Sequence, residues 1–174
     1  MLSFKEYINE IKFKFSDNLE NNPDTVSSEA TGKVSDLVFY LGKKKIEFKS
    51  ENEINSNGAP YFTWKEAMRQ FDSPTENDWR LPEYDELEAL AEKYSYNFYN
   101  GFGVFDSRLR LPACGVETNN KAEQEEISGY YWTSDSSGDG RQGWFFYFDE
   151  DEVLLDACRS NSLKYSVRLV RTIK

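Results

Sequence analysis

Residues 78–87 read Asp-Trp-Arg-Leu-Pro-Glu-Tyr-Asp-Glu-Leu, and the fold turns on this stretch. Pro82 fixes its own φ and offers no backbone N–H, so it closes an extended segment and admits a helix directly after it. Tyr84, Leu87, Leu90, Ala91 and Tyr94 then recur at the helical period. That spacing predicts an amphipathic helix with one apolar stripe turned to a core. Upstream, Thr63 and Glu66 form a capping box, and Trp64, Ala67, Met68 and Phe71 make the stripe of an earlier helix that ends before Pro74.

Further outward, LVFYL at 37–41 and KIEFK at 45–49 flank Gly42-Lys43-Lys44, which reads as a hairpin, and a polar loop with Asn57-Gly58 follows. From residue 102 onward the pattern changes to short aromatic or aliphatic runs separated by Gly, Asn, Asp and Ser: RLRLPA, GYYWTS, GWFFYF, EVLLDA and SVRLVR. Helices first and strands afterwards predict an α+β fold, with two amphipathic helices on a twisted antiparallel sheet. At the start of the chain, Ser3 and Glu6 form another capping box, and Phe4, Ile8, Ile11 and Phe15 share one helical face over residues 3–15. This helix packs either on a partner or on its own domain. The polar stretch from Ser16 to Ser35 behaves as a linker, which divides the chain into an arm at 1–33 and a domain at 34–174.

Composition narrows the function. The 174 residues suit one domain, and 13 Phe, 11 Tyr and 4 Trp supply a core. A net charge of -10 repels phosphates, so nucleic acid and anionic membranes are poor partners. No apolar run is long enough to span a membrane or to form a signal peptide. With no histidine, the usual general base, zinc ligand and Ser-His or Cys-His pairs are absent. Cys114 and Cys158 match no CxxC pattern and read as buried thiols.

Four motifs occur in a fixed order: Asp78-Trp79-Arg80-Leu81-Pro82 leading to Glu86-Leu87, then Leu111-Pro112-Ala113-Cys114-Gly115, then Gly129-Tyr130-Tyr131-Trp132-Thr133-Ser134, and Ser166-Val167-Arg168-Leu169-Val170-Arg171. Over residues 60–172 this order resembles the fibrobacter major paralogous domain and related bacterial domains on the C-type lectin fold. That group includes formylglycine-generating-enzyme-like and retroelement-diversified proteins. The resemblance implies a C-type-lectin-like α+β domain and leaves the ligand open. Read physically, Trp79 and Trp132 are core aromatics, while Arg80, Arg168 and Arg171 pair with acids and loop carbonyls.

Known sites of that fold do not carry over. Formylglycine-generating enzymes use a closely spaced cysteine pair, whereas Cys114 and Cys158 are far apart. The Glu-Pro-Asn, Gln-Pro-Asp and Trp-Asn-Asp triplets of calcium-dependent lectins do not occur. Asp135-Ser136-Ser137-Gly138-Asp139-Gly140 opens like a calcium loop, but Phe146 stands where the bidentate acid belongs. Asp149-Glu150-Asp151-Glu152 reads as a solvated hairpin tip.

The expected ligand surface is formed by loops 117–128, 135–143 and 159–165. Its candidate contacts are Asp135, Asp139, Arg141, Trp144, Arg159, Asn161 and Tyr165, beside Tyr130 and Tyr131.

The sequence therefore predicts a non-enzymatic binding or decoration module that needs no metal or cofactor. The apolar face Phe4, Ile8, Ile11 and Phe15 would dock it onto a larger assembly. Without an export signal, that assembly is expected to be a phage virion made in the host cytoplasm, and Met-x-Ser-Phe-Lys-Glu-Tyr-Ile resembles the start of many phage proteins. Its expected partners are other virion proteins through the arm and a host-surface glycan or protein through the domain, with homo-oligomers possible. The alternatives are a lectin-like or retroelement-diversified receptor binder at a bacterial cell surface and a formylglycine-generating-type oxidase.

Overall fold

The computed structural model describes residues 37–71, 78–137, 140, 142–158 and 162–174. The helix expected at 3–15, the linker, the boundary near Val34 and the arm residues Phe4, Ile8, Ile11 and Phe15 lie outside them. The expected hairpin forms: Val38–Leu41 (β1) pairs antiparallel with Lys44–Phe48 (β2) across a turn in which Gly42 takes φ +60. Both expected helices form as well. Trp64–Phe71 (α1) starts on the predicted capping box, with Thr63 N donating to Glu66 Oε2 at 2.8 Å and Glu66 N to Thr63 Oγ1 at 3.3 Å. Tyr84–Lys93 (α2) follows Pro82, with Leu87 and Leu90 buried and Ala91 and Tyr94 half-buried.

The α+β expectation is corrected. The described chain is mostly β: eleven strands against two helices of 8 and 10 residues, with the strands in four small sheets rather than one twisted sheet on two helices. β1, β2 and Val170–Thr172 (β11) form the first sheet, in the order β1-β2-β11. Tyr96–Tyr99 (β3), Phe102–Phe105 (β4) and Leu109–Pro112 (β5) form a meander. Val116–Thr118 (β6) and Lys121–Glu123 (β7) form a ribbon, and Gly129–Ser136 (β8), Gly143–Phe148 (β9) and Val153–Ala157 (β10) form a sheet with β9 in the middle. The reason is local. Asn100-Gly101 and Asn119-Asn120 carry positive φ at both central turn positions, which closes tight hairpins where a longer-range sheet was expected.

Two core clusters result. The first gathers Phe39, Ile46, Phe48, Leu87, Leu90, Phe105, Leu109, Phe146 and Phe148 between the β1-β2 sheet, α2, the meander and one face of β8–β10. Phe148 is its hinge pin, because a Cβ on Gly129 would lie 2.1 Å from its ring. The second gathers Phe62, Ala67, Phe71, Leu81, Trp132, Tyr165, Val167 and Leu169 on the opposite face. Each large aliphatic or phenylalanine side chain among them contributes about 1.5–3 kcal/mol by leaving water.

The first and last motifs hold one another. Arg80 and Val170 exchange both backbone hydrogen bonds at 2.9 Å. Arg80 grips the buried Glu86 carboxylate with two nitrogens, at 2.9 and 2.7 Å. Arg171 donates to Glu47 at 2.6 Å and lies 4.7 Å over the Trp79 ring. Trp132 is buried and donates its indole N–H to Phe62 O at 2.6 Å. The arginines thus have the structural partners that their planar forks predict.

Candidate functional site

Among the residues expected to bind a ligand, Asp139, Arg141, Arg159 and Asn161 lie outside the described residues. The other three are built into the fold. Asp135 is half-buried, and its Oδ2 accepts the backbone N–H of Tyr84 at 2.6 Å. It therefore satisfies a free donor at the start of α2 from a distant strand. Trp144 meets Tyr84 edge to face at 5.1 Å. Tyr165 is buried, with its ring 4.4 Å from Trp132 and 5.0 Å from Tyr130, and its hydroxyl 3.7 Å from Cys158 Sγ. We predict that Asp135→Ala costs about 1 kcal/mol, as loss of a helix cap does. Asp135→Asn, which keeps an acceptor, should cost less, and thermal melts of both variants check the order.

Behind the second and fourth motifs lies a buried polar frame. Arg168 is 4 % exposed and donates through Nε to Asn52 Oδ1 at 2.8 Å and through a terminal nitrogen to Lys49 O at 2.8 Å. Asn52 Nδ2 donates to the Tyr131 hydroxyl at 2.9 Å, which in turn donates to Pro112 O at 2.7 Å. Burial lowers the pKa of Arg168 and raises that of Tyr131 well above its ordinary value. Carbonyls and amides compensate this guanidinium, an arrangement that fixes loops rather than moving protons.

The frame carries a protruding tip. Tyr61 is buried and shares its hydroxyl proton between Cys114 O, at 2.5 Å, and Glu125 Oε1, at 3.0 Å. Glu126 N donates to Ala113 O at 2.7 Å, and Ser128 N to Gln124 O at 3.1 Å. The Gln124 side-chain oxygen receives the Tyr130 hydroxyl at 2.7 Å. Gln124 and Glu126 sit at φ +61 and +63, in the left-handed region, at about 1 kcal/mol or more each. Gly115 underlies the turn: its φ is +68, and a Cβ there would stand 2.0 Å from Glu123 O. The result holds Ile127 64 % exposed. The β3–β4 turn leans on the same loop, since a Cβ on Gly101 would lie 3.4 Å from Glu126 Cα, and it presents Tyr99 at 59 % exposure.

Sequence reasoning marked the loop 117–128 but not Ile127 or Tyr99. The available signals were the isoleucine inside a polar loop and the Asn100-Gly101 turn beside an aromatic run. Tyr61 and Glu125 had no sequence signal, because only the fold brings them within reach of Cys114.

Burial pushes the Cys114 thiol up to about 11, so it stays protonated and is a poor nucleophile. Cys158 is likewise buried, with its thiol 3.7 Å from the Tyr165 hydroxyl. Among the described residues, no group of three or more His, Cys, Asp or Glu is placed to share a metal ion. A shallow groove lined by Ile54, Asn55, Phe62, Glu66 and Arg69 lies along α1. A rigid loop with an exposed aliphatic, a neighbouring tyrosine and a carboxylate rim is suited to a macromolecular contact.

No curated protein and no solved structure matches the chain. The model of the Lcl C-terminal domain matches residues 32–171, which include all four motifs, the buried frame and the tip. On that match the chain belongs to the Lcl C-terminal domain family.

Proposed function

We propose that this chain is a non-enzymatic binding module whose contact surface is the tip made by the loop 124–127 and the turn 99–101. The observation that carries the reading is the cost accepted at Gln124 and Glu126 to keep Ile127 in water. Preorganisation of this kind lowers the entropy lost on binding. The protonated Cys114 speaks for binding rather than thiol chemistry. The four ordered motifs support kinship with the fibrobacter major paralogous domain as a finer placement within this group of domains.

The assembly we propose is a bacteriophage particle, with residues 1–33 attaching the chain and the tip directed at a host-surface protein or glycan. Mass spectrometry of purified particles tests this proposal, and absence of the chain from them rejects it. Deleting residues 1–33 should abolish incorporation while leaving the domain folded. The tip makes its own prediction. Ile127→Asp combined with Tyr99→Asp should weaken binding to the producing host's surface by roughly 30-fold or more, the effect of losing a central hot spot. The melting temperature should barely move, because both side chains are exposed. Unchanged surface binding by this variant would remove the tip from the contact.

A further inference from the structure

Among the described residues, several sheet edges are closed by hydrogen bonds on their outer side, whereas the outer edge of β10 carries a single such contact. On the outer edge of β1, Tyr40 N donates to the Tyr94 hydroxyl at 2.9 Å, Lys93 Nζ donates to Tyr40 O at 2.8 Å, and Arg108 donates to Val38 O at 3.3 Å. The outer edge of β5 is met by the Tyr131 hydroxyl at Pro112 O and by Arg168 at Arg110 O. β8 exchanges bonds with Ser166 on its outer side, and β11 does so with Arg80. Exposed peptide edges invite further strands, and these contacts remove the invitation.

β10 pairs with β9 on one side. Its register is bounded by the bonds from Asp149 N to Glu152 O and from Cys158 N to Gly143 O. Because donors and acceptors alternate along an antiparallel strand, Glu152, Leu154, Asp156 and Cys158 turn their peptide groups to β9. Val153, Leu155 and Ala157 turn theirs outward. The Ala157 N–H is taken by Asp156 Oδ1 at 2.7 Å, and among the described residues the N–H and C=O of Val153 and Leu155 are left as an open pairing edge. Carboxylates flank it at both ends: Glu150, Asp151 and Glu152 on one side and Asp156 on the other, all exposed. Beside the edge, the Leu154 side chain is half-buried.

We propose that β10 is a docking edge that takes up one extended segment of a partner protein as an added strand, with lysine or arginine side chains at alternate positions. The backbone supplies the pairing, and the acidic ends select a basic strand. A second copy of the chain fits poorly. With Val153 opposite Leu155 of the second copy, Asp156 would face Glu152 across the new pair, and like charges directly opposite are destabilising. This inference stands apart from the tip and does not depend on it.

The test uses the full chain and three short capped peptides: one alternating Lys and Val, one alternating Glu and Val, and a Lys/Val peptide N-methylated at alternate residues. The Lys/Val peptide should slow hydrogen exchange at the Val153 and Leu155 amides by about tenfold or more, while the other two leave them unchanged. The variant carrying Glu150→Lys, Asp151→Lys and Glu152→Lys keeps the pairing edge and should reverse the preference toward the Glu/Val peptide. Equal binding of the N-methylated peptide would overturn the proposal, because attraction to the acidic turn would then suffice without pairing. Absence of protection at Val153 and Leu155, or protection that appears only as the chain self-associates in sedimentation, would overturn it as well.

Discussion

Replacing Glu86 by Gln should destabilise the protein by about 3 kcal/mol in urea melts at neutral pH, the lower end for breaking a buried ion pair. Glu86 is 2 % exposed, and its two oxygens accept from Arg80, while Oε2 also accepts the Glu83 backbone N–H at 2.9 Å. A neutral amide keeps the shape but removes the buried charge partner of the guanidinium, which is 20 % exposed and keeps Glu83 Oε1 at 3.9 Å. That residual exposure is why the lower figure applies. The pH dependence gives a second readout. Burial alone raises the pKa of Glu86, but the Arg80 hydrogen bond and the Glu83 N–H outweigh it, so the net value lies below the ordinary 4.5. A depressed folded value means that this contribution is fully present above 4.5 and is lost as pH falls through the folded pKa. The wild-type advantage over Glu86→Gln should therefore shrink below pH 4.5. A difference under about 1 kcal/mol at neutral pH would place the pair among weak surface bridges.

Gly115→Ala should have the larger consequence for binding. Its new methyl would meet Glu123 O at 2.0 Å and two further backbone atoms at 2.8 Å, so no rotamer change relieves it. The left-handed φ adds about 1–2 kcal/mol for any L residue. Together these should cost about 3 kcal/mol or more and displace the segment 123–128. Resonances of Ile127 and Tyr99 should shift together, while those around Phe39 and Ile46 stay in place. Near-wild-type stability with an undisturbed tip would contradict the close approach described for Gly115.

Much of the fold was legible where a residue's role is set by its neighbours in sequence. Pro82, the Thr63–Glu66 box and the apolar stripes announced both helices, and Gly42 announced the first hairpin. The mostly β balance was not legible. The run Tyr-Ser-Tyr-Asn-Phe-Tyr-Asn-Gly-Phe-Gly-Val-Phe at 94–105 has aromatics at both odd and even positions, so the alternation that buries Gly103 and Phe105 is hidden. Val-Glu-Thr and Lys-Ala-Glu carry too little apolar surface to announce β6 and β7, which lean on Lys164 from elsewhere in the chain. SVRLVR was expected as one strand. Only its end pairs as a strand, because Ser166 is drawn to β8 and Arg168 to Lys49. At the site the difficulty was direction. An aromatic beside a polar loop reads the same whether it points in, as Tyr165 does, or out, as Tyr99 does.

The pairing of β2 with β11 also sets a timetable. Glu47 meets Arg171 across 124 positions of sequence, and Asn52 meets Arg168 across 116. Contacts of such separation form late and slow folding, because a long loop must close before it is rewarded. On the ribosome, β1 and β2 emerge well before β11, the strand that completes their sheet. The nascent chain must therefore hold Ile46 and Phe48 without their third strand until residues 170–172 have been made.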